Sequence, residues 1–100
     1  MTDSCLLTLV APPSLEDTLI DWLLMQDYIS GFNSVEINGH GARSHQISIY
    51  EQVTGRQKRI EFQIHTEISI ANSMIDVLKI KFLNSGLHYI LTPVLSAGQI

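Results

Sequence analysis

IEFQIHTEISIANSMIDVLKIKF, residues 60–82, changes its hydrophobic period once, and that change decides the fold. Ile60, Phe62 and Ile64 alternate with Glu61, Gln63 and His65, the two-residue period of a strand with one buried face. Ile70, Met74, Val77, Leu78 and Phe82 then recur at helical spacing, so a helix with an apolar stripe follows the strand. Asn84-Ser85-Gly86 closes that helix, with Gly86 expected in the left-handed conformation. Leu87 to Leu91 reads as another strand, and Pro93 suits the end of an edge strand because it donates no ladder hydrogen bond.

The same unit occurs earlier in the chain. CLLTLVA, residues 5–11, is apolar on both faces, as a central strand is. Pro12-Pro13 ends it, and Ser14 reads as a helix N-cap with Asp17 as its capping-box partner. Glu16 and Asp17 lie in the first turn, where the helix dipole favours acids. Leu15, Leu19, Trp22 and Leu23 form an apolar face that Ile20 and Leu24 widen, so this helix is expected from about Leu15 to Asp27. Ser30-Gly31 makes a turn, and Val35 and Ile37 alternate in a second strand that stops at Asn38-Gly39. Ile47, Ile49 and Val53 could form an extra strand or belong to a long loop.

The order is β-α-β, an elaborated loop, then β-α-β. Two right-handed split βαβ units predict an α+β, ferredoxin-like βαββαβ sandwich: an antiparallel sheet with both helices on one face. The other face is left open. Strand one is apolar in both directions, and the last strand places Tyr89 and Leu91 on one side and His88 and Ile90 on the other. A small chain with an open apolar face is expected to self-associate through it, with Glu61 and Gln63 making the contact partly polar.

Composition bounds the function. With 100 residues, 45% hydrophobic and 16% charged, the chain is expected to be one folded domain, 1–100. A net charge of −4 repels nucleic acid, and the basic cluster of Arg56, Lys58 and Arg59 is small. One cysteine, Cys5, permits no internal disulfide. The apolar run Leu6–Ala11 is too short for a signal peptide or a membrane span, so a cytoplasmic protein without membrane insertion is expected. There is no Ser-His-Asp pattern, G-x-S-x-G elbow or P-loop, and the expectation is a protein that is not an enzyme.

Two Gly-containing turns compete as sites. NGHGA, residues 38–42, permits positive φ and a close backbone approach to a ligand. TGRQKR, residues 54–59, reads as a turn feeding a strand whose charges discourage edge pairing. Its functional alternative is an acidic partner or a phosphate held by Arg56 and Arg59. The histidines, at 40, 45, 65 and 88, lack the i, i+4 spacing of a local metal site. A site assembled between subunits could still combine His40 or His45 with Glu36 or Glu51.

TLVAPPSLEDTLIDWL, residues 8–23, followed by SGFNSVEINGHGA, residues 30–42, is similar to the first half of PII-like (nitrogen regulatory protein-like) signalling proteins. Gly39-His40-Gly41 stands at that family's Gly-x-Gly motif, and Ser44 to Lys58, with Tyr50, stands at its T-loop. The chain most resembles a branch that accompanies heavy-metal efflux systems. The resemblance implies a cytoplasmic PII-like homotrimer with its open sheet faces inward. It also implies that a T-loop-like segment, about residues 39–58, engages a partner protein, a target enzyme or membrane transporter, under small-ligand control. Gly39, His40, Gly41 and Arg43 would line the ligand, and His45, Tyr50, Arg56, Lys58 and Arg59 would meet the partner.

The departures bear on the ligand. The family holds adenine nucleotide phosphates with a Gly-rich, basic B-loop, whereas Asn84-Ser85-Gly86-Leu87-His88 has one glycine and no Lys or Arg. The C-terminal PVLSAGQI is also without a basic residue, so binding of ATP in the usual mode loses most of its donors. The alternative function is a divalent metal-binding trimer similar to the copper-tolerance trimers of the same fold, with His40 and His45 as candidate metal ligands.

Overall fold

The computed structural model describes residues 3–41 and 57–100. Its elements are β1 (Ser4–Ala11), a 3₁₀ turn (Pro13–Leu15), α1 (Glu16–Leu24), β2 (Asn33–Gly39), β3 (Gln57–Glu67), α2 (Ile68–Lys81) and β4 (His88–Pro93). The strands form one sheet in the order β2-β3-β1-β4, and each neighbouring pair is antiparallel. This is the predicted ferredoxin-like α+β arrangement. Ile47, Ile49 and Val53, which could form an extra strand or belong to a long loop, fall outside the described residues.

The period-2 pattern of β1 decides where the core sits. Cys5, Leu7, Leu9 and Ala11 are buried, whereas Ser4, Leu6, Thr8 and Val10 on the opposite face are half-buried. In register with the buried set, Leu7 pairs with Ile64, Leu9 with Phe62 and Ala11 with Ile60. Over this surface lie Leu19 and Leu23 of α1 and Ala71, Met74, Ile75 and Leu78 of α2. Trp22 meets Phe82 edge-on at 6.3 Å between ring centroids, which ties α1 to the end of α2.

Local boundaries depart from the sequence expectation at α1. Ser14 does not cap the helix: it lies inside the 3₁₀ turn, and no side-chain cap is formed there. Proline at the first turn position fixes φ and starts a tight turn, closed by Leu15 N–H donating to Pro12 O at 3.0 Å. At the other end Met25 and Gln26 donate to the Trp22 and Leu23 carbonyls at 3.2 and 3.1 Å, so the helix tightens at Leu24 and does not reach Asp27. Gln26 Nε2 also donates to Trp22 O at 2.8 Å. Leu24, expected to widen the apolar face, is 70% exposed, and Val77, expected in the core, is 47% exposed. Both lie beyond the width of helix face that the sheet can cover.

The α2–β4 junction does contain the expected left-handed glycine, with Gly86 at φ +87° and Asn84 at φ +60°. Ser85 Oγ donates to Phe82 O at 2.6 Å and accepts from Leu87 N–H at 3.4 Å, which pins the turn.

Cys5 is buried under the helices, with its Sγ donating to Thr66 O at 3.4 Å. Burial pushes its thiol pKa up, because the thiolate loses solvation. A raised folded-state pKa favours the protonated fold, so the contribution is complete below the unfolded thiol's pKa and lost as pH rises through the folded one. In native protein at pH 8, Cys5 is expected to react with a disulfide reagent more than about tenfold more slowly than in urea. Equal rates would contradict this burial.

Candidate functional site

β2 and β3 pair along their whole common length, from Asn33 opposite Gln63 to Gly39 opposite Gln57. β2 therefore ends at Gly39 directly across the ladder from Gln57, where β3 begins. This brings Gly39, His40 and Gly41 to the same end of the sheet as Gln57, Lys58 and Arg59. Gly41, on the outgoing limb, has φ +88° with open space where a Cβ would stand, so backbone conformation and not crowding favours glycine there. Gly39 is different: a Cβ on it would make ordinary contact, 3.7 Å from Arg59 Cγ and from Gln57 O.

Among the described residues, Lys58 and Arg59 do not form one patch. Lys58 and Arg59 are consecutive in β3, so they point to opposite faces of the sheet. Arg59 lies opposite Ile37 on the open face, whereas Lys58, opposite Asn38, shares the helix side with Ile60. Arg59 Nη1 donates to Lys58 O at 2.8 Å, and its Nη2 donates to Gln57 Oε1. Gln57 is 5% exposed, and its Nε2 is a buried donor without a hydrogen-bond partner among the described residues. Nothing in the run GRQKR marks Gln57 out in sequence; only the register opposite Gly39 does. Arg43, His45, Tyr50, Arg56 and Glu51 fall outside the described residues, so their relation to this end is not part of its geometry.

The second feature is the open face itself. From β2 to β4 its rows read Val35, Glu61, Val10 and His88, then Asn33, Gln63, Thr8 and Ile90, with His65, Leu6 and Thr92 beyond. Val35 and Ile90 are each 55% exposed. β2 carries its hydrophobic residues on this side and Ser34, Glu36 and Asn38 on the helix side, the inverse of β3. Gln63 Nε2 donates to Glu61 Oε1 at 3.3 Å on this face.

Metal-ligating residues are not gathered. Among the described residues no group of three or more His, Cys, Asp and Glu could hold a metal ion. His65 and His88 share the open face, whereas His40 stands beside Gly41 at the hairpin end. The α2–β4 junction contains no cation, and a Cβ on Gly86 would touch Pro12 Cγ at 3.6 Å, so its turn packs against the end of β1. Among the described residues no helix is long and apolar enough to cross a membrane.

The architecture is shared with solved structures. A crystal structure of a DUF3240 family protein from Shewanella baltica is similar with a TM-score of 0.79 at 20% identity, covering 100% of this chain and 99% of that one. A crystal structure of a protein described as PII-like and assigned to signalling by that description alone, from Thermus thermophilus, is similar with a TM-score of 0.65 at 18% identity, covering 91% of this chain and 86% of that one. At these identities the likeness establishes the fold. No curated protein matches the chain. A family model described as protein of unknown function, DUF3240, matches residues 1–100.

Proposed function

The chain belongs to the DUF3240 family, and from that membership and its fold we propose that it is a non-enzymatic, PII-like regulatory protein acting as a homotrimer. The observation that carries this reading is the uncovered sheet face, where Leu6, Val10, Val35, Ile37 and Ile90 share one surface with Glu61 and Gln63. Exposed apolar surface of this extent is characteristic of an interface, and a closed ring of three copies would cover it on each. The fold likeness to a PII-like signalling protein supports the same reading.

In such an assembly, the segment from about Gly39 to Lys58 serves as a T-loop-like partner-binding element. Its two ends are held together by the Gly39–Gln57 pair. Gly39, His40, Gly41 and Arg43 line the ligand, and His45, Tyr50, Arg56, Lys58 and Arg59 face a target protein, an enzyme or a membrane transporter. The protein works from the cytoplasm and binds its target there.

Sedimentation equilibrium at micromolar concentration tests the assembly. The expected mass is three times the 11.2 kDa of one chain, and a monomer at that concentration would rule the reading out. Ligand control is tested by calorimetry with ATP and with Zn²⁺. The ligand that gives heat should lose it in Gly41→Ala, which places a Cβ on a residue at φ +88°. Binding unchanged in that variant would separate the ligand site from the loop entrance.

A further inference from the structure

We propose that the groove between α2 and β4, on the helix side of the sheet, is a binding site for a small amphipathic carboxylate with an apolar body. The groove has a volume of about 330 Å³, the lower end of the ~300–1,000 Å³ range of small-molecule sites. Its floor is core: Leu9, Ile75 and Leu78 are each at most 5% exposed, and Tyr89 of β4 and Leu87 just before that strand form a wall.

Lys79 fixes the sign of the occupant. It is the one formally charged residue among those lining the groove, and no carboxylate lines it. Its Nζ stands 5.4 Å from the centroid of the Tyr89 ring, which holds the ammonium over the apolar wall. An apolar body in the groove would therefore carry its anionic group to Lys79, whose charge has no ion-pair partner of its own among the described residues. A cation would meet like charge there, and an uncharged apolar molecule would leave the ammonium facing the ring.

The site is built before a ligand arrives. Its rim is the α2–β4 turn, fixed by the Ser85 hydroxyl between Phe82 O and Leu87 N–H. Such preorganisation lowers the ordering cost of binding. The apolar floor of the groove and Lys79 lie on the helix side of the sheet, opposite the face that carries Val10 and Ile90, and the groove meets that face only at His88 on the edge strand β4. The proposal is therefore argued from residues other than those that carry the trimer reading.

The isotope-labelled 100-residue chain, titrated with octanoate, octanol and octylammonium and followed by amide chemical shifts, tests the site. Octanoate is expected to give saturable shifts centred on Ile75 to Leu87 and on Tyr89. Octanol should bind about tenfold more weakly, the loss of one charge-assisted contact, and octylammonium more weakly still. Lys79→Gln, an exposed change that leaves the core untouched, should weaken octanoate about tenfold and leave octanol unchanged. The proposal is overturned if octanoate gives no saturable shift, if it binds no better than octanol, if Lys79→Gln has no effect, or if the shifts fall on Leu6, Val10 and Ile90.

Discussion

Phe62→Ala is expected to lower the free energy of unfolding by about 3–5 kcal/mol, the usual cost of truncating a fully buried aromatic. Phe62 is 0% exposed and sits on β3, between β1 and β2. Its ladder neighbours are Leu9 and Ser34, and Phe32 packs on it with ring centroids 6.2 Å apart. Truncation opens a cavity where both helices meet the sheet. A domain of this size is stable by roughly 5–15 kcal/mol, so the variant loses a large part of what it has. In urea the midpoint should fall by about 2 M at an m-value of roughly 2 kcal/mol/M. Should the alanine variant fail to fold, Phe62→Leu provides the graded measurement, expected at about 1–1.5 kcal/mol. A midpoint shift below about 0.5 M for Phe62→Ala would show that this residue does not anchor the core.

Ile90→Asp is expected to dissociate the proposed trimer while leaving each chain folded. Ile90 is 55% exposed on the open face, opposite Thr8, so within one chain the change stays near the surface. Substitutions of that kind shift stability within about 0.5 kcal/mol. Between packed faces the same carboxylate would be buried without a partner, at about 3 kcal/mol or more for each copy. That corresponds to at least ~100-fold weaker association. Sedimentation should then show single chains of 11.2 kDa at a concentration where the parent assembles. Val77→Asp is the matched control. Val77 is 47% exposed but lies on the helix side, so its charge should leave the mass unchanged. Dissociation by Val77→Asp and not by Ile90→Asp would move the interface to the helices.

The candidate site was less legible than the fold. Lys58 and Arg59 read as one basic cluster because they are adjacent in sequence, yet strand geometry sends them to opposite faces. Gln57 carries no sequence signal, and its buried amide, unpartnered among the described residues, is evident only once Gly39 is seen opposite it. Ser14 has the composition of a cap, but the prolines before it impose a 3₁₀ turn, so local geometry overrides side-chain preference. The groove beside Lys79 is invisible to pattern reading, since Ile75, Lys79 and Tyr89 are brought together by packing alone.

What the sequence determined by itself is the set of elements and their order. The switch from period 2 to period 3.6 after residue 67, repeated in simpler form near the start, admits few topologies once crossovers must be right-handed. What only the tertiary structure decided is which face of each strand is covered. Alternation says that Val35 and Ile37 share a face, but not that it is the open one, while Ile60 and Phe62 of the next strand face the helices. That assignment depends on register, and a slip of one residue would exchange the faces. Register is fixed by how the helices settle on β1 and β3, a contact between residues far apart in the chain. The hydrophobic period encodes burial in one dimension, and the partner that provides the burial is chosen in three.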